Sequence, residues 1–239
     1  MRIDGRQPDQ LRPVSILPHF TDFAEGSVLI SIGKTRLLCN LTIEDGVPRW
    51  MTQQEKPGGW ITAEYAMLPR ATVQRSPRET NGLSGRTQEI RRLIGRSLRA
   101  AIDLEKLGPR TCTLDCDVLQ ADGGTRTAAI TGGYIALALG LSRLVQRGVL
   151  PDDVIRSPVA AVSVGIVAGA SLLDLCYAED SQAEVDANIV MNARGEFIEI
   201  QSSAEGSPFS RQRFEGLLDL AVRGIDEIFN IQQELLGGL

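Results

Sequence analysis

Two adjacent glycines, followed by a threonine, an arginine and a long apolar helix pattern, place the strongest constraint on this 239-residue chain. The stretch reads Gly123-Gly124-Thr125-Arg126-Thr127. Glycines permit backbone conformations that other residues rarely adopt, and they let a ligand approach the chain closely. A helix that begins near Thr127 would aim unpaired N–H groups and a partial positive charge at this turn. Together with the Thr125 hydroxyl and the Arg126 guanidinium, these groups predict a site for an anion, phosphate in particular.

The same residues are also compatible with an ordinary tight turn that binds nothing. The stretch is not a P-loop, because no Gly-Lys-Ser/Thr sequence closes it, and it lacks the G-x-G-x-x-G pattern of dinucleotide-binding folds. The choice between the two interpretations therefore depends on which other residues surround the turn.

The rest of the chain shows strand and helix patterns in two similar cycles. The predicted strands cover residues 27–32, 36–43, 60–68, 111–119, 159–167, 172–177, 185–191 and 197–201. The predicted helices cover residues 87–107, about 127–148, and 211–231 with its tail, the last with a possible break near Gly224. Gly33-Lys34 is expected to be a hairpin turn, and residues 47–59 a loop. This order predicts an α+β fold of two β-rich, helix-capped halves in one domain, residues 1–239.

Charge is distributed unevenly along the sequence. The net charge is −5, which argues against indiscriminate binding of nucleic acid, yet residues 70–99 contain eight arginines against two glutamates. Such clustering favours an anionic partner. A solvated helix face, or arginine-rich codon usage, would explain the same residues without any partner.

Several classes of site and location are disfavoured by composition. His19 is the only histidine, which argues against histidine triads and histidine metal clusters. The four cysteines fall in apolar patterns and are expected to be buried, reduced thiols. No apolar stretch indicates a secretory signal or a membrane span, so we expect a cytoplasmic protein without membrane contact.

Two aspartates form the second candidate site. Asp186 interrupts an apolar strand, and Asp180 precedes the turn that leads to it. A hairpin centred near residues 182–183 would bring the two carboxylates onto facing strands. Close carboxylates repel unless one is protonated or a cation lies between them, which suits Mg²⁺ binding, proton transfer to a leaving group, or both. Alternatively, Asp180 caps the turn and Asp186 binds local backbone N–H groups. Glu179 and Glu184 are expected to be solvent-exposed.

Long blocks of the sequence resemble the bacterial ribonuclease PH group of phosphate-dependent 3′-exoribonucleases. The resemblance extends almost from end to end, over Arg2-Ile-Asp-Gly-Arg6 with Leu11-Arg-Pro13, residues 59–72, residues 84–99, Asp117 to Thr127, and Ala204-Glu-Gly with Pro208-Phe-Ser-Arg211. Two departures are visible. Ser202-Ser203 replaces the usual Gly-Thr, a change that could alter a turn near the site, and Val73-Gln74 replaces a histidine-containing pair in the arginine-rich loop.

The resemblance implies a ribonuclease PH-like fold and assigns the two candidate sites to one reaction. It implies that Arg86, Gly124, Thr125 and Arg126 hold orthophosphate, while Asp180 and Asp186 act at the reacting phosphodiester. It further implies a ring of six subunits, a trimer of dimers, that trims the 3′ ends of transfer RNA precursors and releases nucleoside diphosphates.

The arginines outside the phosphate site are candidates for contacts to RNA. Arg92, Arg96 and Arg99 lie opposite the apolar face of the helix predicted over residues 87–107, which also fits a solvated helix face. Arg70, Arg75 and Arg78 could serve either RNA or contacts between subunits. Two other activities remain open: a hydrolytic nuclease, and a non-catalytic RNA-binding ring subunit of an exosome-like assembly.

Overall fold

The computed structural model describes residues 2–237, so Met1, Gly238 and Leu239 of the predicted domain lie outside the described residues. Five strands form the first sheet, in the spatial order β1-β2-β3-β5-β4. They are β1 (Val14–Pro18), β2 (Gly26–Ile32), β3 (Thr35–Asp45), β4 (Trp60–Met67) and β5 (Arg110–Gln120). All neighbouring strands are antiparallel except β4 and β5, which are parallel. The expected hairpin at Gly33-Lys34 is confirmed.

Four antiparallel strands form the second sheet, in the order β7-β6-β8-β9. They are β6 (Val159–Val167), β7 (Ala170–Leu173), β8 (Val185–Asn192) and β9 (Phe197–Ala204). Within residues 2–237, six helices and one 3₁₀ turn at Asp152–Val154 complete the fold. The helices are α1 (Arg49–Gln53), α2 (Gly85–Ala101), α3 (Leu104–Leu107), α4 (Thr125–Gln146), α5 (Tyr177–Asp180) and α6 (Arg211–Gly237).

Helices α2 and α4 lie between the two sheets, and α6 covers the outer face of the second sheet. The larger apolar core joins both halves, because Val159, Ala161 and Val190 of the second sheet pack with α2, α4 and the first sheet. A smaller core packs the alternate residues of β6 and β8 against α6. Helix α4 is long and apolar enough to span a membrane, but 78% of its apolar window is buried inside the protein. Its composition is thus that of a central core helix.

The structure differs from the sequence prediction in several elements. The helix predicted over residues 87–107 ends at Ala101, because Ile102 turns extended and forms a β-bridge with Ile155. Strand β1 and the short helix α1 were not predicted. Helix α6 continues through Gly224 without a break. A Cβ atom at Gly224 would lie 2.6 Å from the Leu173 side chain, so this glycine permits close packing of α6 on β7.

The segment before Asp180 is also not the strand that was predicted. Strand β7 ends at Leu173, Asp174 then adopts a left-handed conformation with φ of 53°, and Cys176 caps the N-terminus of α5. Of the strand predicted over 172–177, only Leu172 and Leu173 belong to β7, while Leu175 and Cys176 are buried in the segment between β7 and α5. The prediction of facing strands for Asp180 and Asp186 is therefore wrong.

Candidate active site

The glycine turn precedes α4 directly and has the backbone conformation that only glycine adopts readily. Gly123 and Gly124 have φ values of 77° and 66°, and α4 begins at Thr125, two residues before the predicted start. A Cβ atom at Gly123 would lie 2.5 Å from the Leu175 carbonyl oxygen, so the turn lies directly against the segment that leads into α5. The N–H groups of the first turn of α4 are thus available to an anion next to α5.

Thr125 and Arg126 are each held by side chains from other elements. The buried Thr125 hydroxyl lies 2.8 Å from the hydroxyl of Tyr65 on β4. The Arg126 guanidinium donates a hydrogen bond to Gln201 on β9 at 3.2 Å, and it pairs with Glu89 on α2 at 3.4 Å. The side chain that the sequence marks as the anion ligand is therefore oriented by α2 and the second sheet.

Arg86 lies in the first turn of α2, whose N-terminus is capped by the Ser84 hydroxyl. Its side chain is exposed, and within the described residues it makes no hydrogen bond or ion pair. Its positive charge acts to lower the pKa of both Tyr65 and Asp180. Arg86 is therefore close enough to Tyr65 and Asp180 for its charge to act on both, and its guanidinium is unengaged by any group of residues 2–237.

Asp180 and Asp186 reach the same region from different elements. Asp180 is the last residue of α5, and Asp186 lies in β8 opposite Gly165 and Ser203. Strand alternation places Asp186 on the side of β8 that faces α2 and α4. Neither carboxylate accepts a hydrogen bond from any group in residues 2–237. The alternative in which Asp186 binds local backbone N–H groups is not supported.

The electrostatic environment of Asp180 shows that these groups converge. Partial desolvation and the neighbouring Asp186 carboxylate raise the pKa of Asp180, while Arg126, Arg86 and Arg12 act to lower it. The net direction is upward. Two carboxylates and three guanidiniums therefore interact at the N-terminus of α4, and a proton is held more readily on Asp180 than on an ordinary aspartate.

Ser202 and Ser203 do not form a turn. Both lie in β9, and Ser203 is directly opposite Asp186. The expected effect on a turn is therefore wrong, although this departure from the family pattern does lie at the site. Val73 and Gln74 are exposed residues of the loop over residues 68–84, between β4 and α2.

Glu179 is buried, contrary to the prediction that it is solvent-exposed. Its carboxylate forms a two-point ion pair with Arg2, with distances of 2.8 and 2.7 Å. Glu184 is exposed as expected and accepts a hydrogen bond from the Gly169 N–H. Sequence patterning did not distinguish the two glutamates, because burial of Glu179 depends on a partner 177 residues away.

A buried ion pair between Arg12 and Asp174 was also missed. The Arg12 Nη2 and Nε atoms lie 2.6 and 2.9 Å from the two Asp174 carboxylate oxygens. Desolvation would lower the pKa of Arg12, but hydrogen bonding to Asp174 and its charge raise it. One signal in the sequence could have found this pair: an aspartate within the apolar run 172–175 requires a buried partner.

The three arginines predicted to contact RNA have different environments. Arg92 is exposed, and Arg96 forms an ion pair with Glu199 at 2.5 Å. Both line a groove of about 280 Å³ between α2 and β9, which Glu89 and Gln201 also line. Arg99 instead stacks over the Trp60 ring at 4.3 Å and donates to the Ile61 carbonyl oxygen. Only Arg92 and Arg96 are near the residues that hold Arg126.

Arg70, Arg75 and Arg78 lie in the exposed loop between β4 and α2. The charge of Arg78 lowers the pKa of Asp117 on β5, against the larger effect of desolvation, which raises it. The loop thus presents three guanidiniums to solvent. Their position is compatible with either RNA or a second subunit.

The donor set at the site suits a hard divalent cation only in part. No group of three or more metal-binding side chains occurs within residues 2–237. Asp180 and Asp186 supply carboxylate oxygens, and Mg²⁺ is commonly held by one or two carboxylates, with waters and substrate phosphate completing its shell. The residues therefore fit an ion shared with substrate but not an ion enclosed by protein alone.

Comparison with known proteins identifies relatives over almost the entire chain. Residues 10–140 match the 3′ exoribonuclease family, domain 1, and residues 157–224 match domain 2 of the same family. Ribonuclease PH of Crocosphaera subtropica is 54% identical over 235 residues, covering 98% of this chain and 97% of that protein. Ribonuclease PH of Synechococcus elongatus is 55% identical over 236 residues, covering 99% and 98%.

Solved structures with a similar fold are more distant in sequence. Rice (Oryza sativa) Rrp46 superposes with a TM-score of 0.80 at 20% identity, covering 99% of this chain and 100% of that chain. A chain of the Archaeoglobus fulgidus exosome with RNA bound to the active site gives 0.79 at 24% identity, covering 96% and 91%. At these identities the comparison shows a shared fold, and the α+β prediction of two β-rich halves is confirmed.

Proposed function

Because the chain belongs to the 3′ exoribonuclease family and resembles ribonuclease PH over its full length, we propose how its site performs phosphorolysis of RNA. The protein is a phosphate-dependent 3′-to-5′ exoribonuclease, a nucleotidyltransferase that processes the 3′ ends of transfer RNA precursors. The observation that carries the mechanism is the meeting of unengaged Arg86, Asp180 and Asp186 side chains at the N-terminus of α4.

Orthophosphate is the attacking group, held by Arg86, the Thr125 hydroxyl, Arg126 and the N–H groups at Gly124 and the start of α4. Two anions must meet in this reaction, and the guanidiniums reduce their repulsion. Holding the nucleophile in line with the scissile bond also converts a bimolecular encounter into an oriented one. In favourable cases such orientation contributes about 7–11 kcal/mol to the lowering of the barrier.

Asp180 and Asp186 act on the departing 3′-oxygen. Partial desolvation and the neighbouring Asp186 raise the pKa of Asp180, so this pair favours either a bound proton or a bound cation, and either would neutralise the charge that develops on that oxygen. Phosphate forms a bond to the terminal phosphorus as the bond to the 3′-oxygen breaks, so the products are a nucleoside diphosphate and an RNA shortened by one nucleotide. One phosphoric anhydride replaces one phosphodiester, and the reverse polymerisation is expected as well.

We propose Mg²⁺, or a similar divalent ion, as the cofactor at Asp180 and Asp186. The support is the chemistry of the donor set, two carboxylates beside a phosphate site. When bound, the ion would supply positive charge next to the reacting phosphate oxygens. The carboxylates would bind it, and the arginines on the other side of the site would keep the substrate oriented.

Arg92 and Arg96 are proposed to contact the RNA backbone. They line the groove that leads along α2 from the residues that hold Arg126. Arg99 stays a weaker candidate, because its guanidinium is already occupied by Trp60 and Ile61. Preference for transfer RNA over other RNAs is part of the same proposal and rests on the similarity to ribonuclease PH.

We further propose that the chain acts as one catalytic unit, assembles as a homo-hexamer and functions in the cytoplasm. The site draws residues from both halves, which supports the single unit. The hexamer rests on the family resemblance, and light scattering of the purified protein would test it. The four buried, free thiols support a reducing compartment.

The decisive experiment is digestion of 5′-labelled RNA with and without orthophosphate, followed by identification of the nucleotides released. Phosphorolysis predicts shortening only with phosphate, and nucleoside diphosphates as products. A hydrolytic nuclease would act without phosphate and release monophosphates. A non-catalytic ring subunit would bind RNA and leave its length unchanged. Asp186→Asn should retain RNA binding and lose shortening, and unchanged shortening would contradict the assignment of Asp186.

A further inference from the structure

We infer that Arg12 and Asp174 are positioning residues that set the separation between the glycine turn and Asp180. This inference rests on the proposed phosphorolysis, since it concerns how the phosphate is aligned with the carboxylate that acts on the leaving oxygen. Neither residue is placed among the groups that touch phosphate or RNA. Their role follows from the hydrogen bonds by which the Arg12 guanidinium connects the glycine turn to Asp174.

Arg12 joins the two parts of the site through one side chain. Its Nη1 atom donates to the Asp122 carbonyl oxygen at 2.5 Å, and Nη2 reaches the Gly123 carbonyl oxygen at 3.5 Å. The same guanidinium donates to both carboxylate oxygens of Asp174. Asp174 precedes α5 by three residues, so the turn before α4 and the segment that carries Asp180 are attached to one planar group.

The main chains of the two segments are also in direct contact. A Cβ atom at Gly123 would lie within 2.8 Å of Cys176 C and Tyr177 N. Thr35 holds the other side of the turn, since its hydroxyl donates to the Gly123 carbonyl oxygen and accepts from the Asp122 N–H. The glycine turn therefore cannot readily move relative to the start of α5 while the Arg12–Asp174 pair is intact.

A second pair orients α5 itself. The Arg2 guanidinium donates to both carboxylate oxygens of Glu179 and to the Leu173 and Asp174 carbonyl oxygens. Glu179 in turn accepts a hydrogen bond from the Cys176 N–H. Because Glu179 is fixed in the interior, the adjacent Asp180 lies on another face of this one-turn helix, about 100° away, where the charges of Arg126 and Arg86 act on it.

A buried ion pair is by itself weak evidence for stability, because desolvation of both charges offsets their attraction. The planar Arg12 guanidinium, however, fixes the direction as well as the length of its hydrogen bonds to Asp174, which an apolar pair of the same size would not do. Asp174 also adopts a left-handed backbone conformation, which is uncommon outside glycine but which aspartate and asparagine tolerate. These features are suited to a segment whose position matters for an in-line reaction.

The test compares Asp174→Asn in two backgrounds, the otherwise unchanged protein and Asp180→Asn. The amide side chain of Asp174→Asn would keep one acceptor for Arg12 and leave the contacts of Arg12 with the glycine turn. We expect kcat for phosphorolysis to fall about 10- to 100-fold, since a displacement of about 1 Å has such effects, while KM for orthophosphate changes less than about threefold. In the Asp180→Asn background, the same substitution should change the residual single-turnover rate by less than about threefold.

A purely structural role predicts a different pattern. Loss of folded protein would reduce the rate by the same factor in both backgrounds, and that result would overturn the inference, as would an unchanged kcat in Asp174→Asn. Glu184→Gln is the matched control, because it removes an exposed carboxylate four residues beyond Asp180 and keeps an acceptor for the Gly169 N–H. It should leave kcat unchanged.

If Asp174→Asn does not fold, Arg12→Lys can be tested by the same rate measurements. Lysine keeps the positive charge but cannot bind the Asp122 carbonyl oxygen and both carboxylate oxygens of Asp174 together. Failure of the proposed function can be distinguished from failure of this inference by the activity of the unsubstituted protein. In that case the unsubstituted protein would release no nucleoside diphosphate with orthophosphate, whereas failure of this inference leaves that activity intact.

Discussion

The hydroxyl groups of Tyr65 and Thr125 lie 2.8 Å apart, in the larger core, at the first residue of α4. Tyr65 is buried, and desolvation raises its pKa, more than the hydrogen bond with Thr125 and the nearby arginines lower it. The phenol therefore stays protonated at neutral pH, and either hydroxyl can donate in this hydrogen bond; with phosphate bound at Thr125, Tyr65 would be the donor. In that arrangement the Thr125 proton is free for a phosphate oxygen.

Tyr65→Phe is expected to raise KM for orthophosphate about 2- to 10-fold, the effect of losing one neutral hydrogen bond. Steady-state phosphorolysis at varied phosphate measures this directly. Tyr134→Phe is the control, because Tyr134 is an equally buried tyrosine of α4 that makes no hydrogen bond within the described residues. An equal KM in both variants would show that Tyr65 does not orient Thr125.

Glu89→Gln is expected to lower KM for orthophosphate. Glu89 pairs with Arg126 at 3.4 Å and is itself well exposed, so it competes with the anion for the guanidinium at a modest energy. Exposed pairs contribute roughly 0.2–1 kcal/mol, which corresponds to a decrease of about 1.4- to 5-fold. Calorimetric titration with orthophosphate would give the same ratio. Weaker phosphate binding would contradict this prediction and would mean that orientation of Arg126 by Glu89 outweighs its competition with the anion.

Asp180→Asn is expected to stabilise the fold near neutral pH. Since the native protein raises the pKa of Asp180, its ionised form is less favourable in the folded than in the unfolded state. This destabilisation is present above the folded-state pKa and disappears as pH falls below the unfolded-state value. The melting temperature of the variant should therefore be about 1–2 °C above that of the parent at about pH 7. The gain is small because the side chain is exposed. At about pH 3 the two melting temperatures should be equal.

Thermal melts in buffers without phosphate or sulfate would test this pH dependence, because either anion would bind the neighbouring arginines. Glu184→Gln again serves as the comparison. A gain that persists unchanged at the lower pH would contradict the electrostatic cause. A loss of stability at neutral pH would mean that Asp180 has a stabilising partner.

Arg92→Gln is expected to change RNA binding, whereas Arg99→Gln is expected to change the stability of the fold. Arg92 is exposed in the groove beside Arg96, so its loss should weaken RNA binding and reduce the slope of log K against log salt by about 0.7. Arg99 packs on Trp60, so its loss should lower stability by about 0.5–2 kcal/mol and leave the salt slope unchanged. Fluorescence titrations of single-stranded RNA at several salt concentrations, and denaturant melts, separate the two. Equal salt slopes for both variants and the parent would exclude Arg92 as a contact to the RNA backbone.

The regular elements were largely predictable, because local periodicity reports which residues face a core. Strand β5 alternates Cys112, Leu114 and Cys116 inward, and the structure buries all three. The predictions were wrong where long-range contacts override such patterns. Residues 172–177 have a strand-like composition, yet Asp174 leaves the strand to meet Arg12, which is 162 residues away.

The sequence by itself determined the chemistry of this protein: a glycine turn before an apolar helix, an arginine-rich segment and two aspartates, in blocks that resemble one family. It could do so because residue types and short spacings decide which ions and protons a segment can hold. Only the tertiary structure decided that Asp180 ends a one-turn helix rather than a strand, that Glu179 is buried, and that Arg12 connects the glycine turn to Asp174. Buried charges are tolerated only with partners, and those partners come from distant parts of the chain that no local pattern reveals.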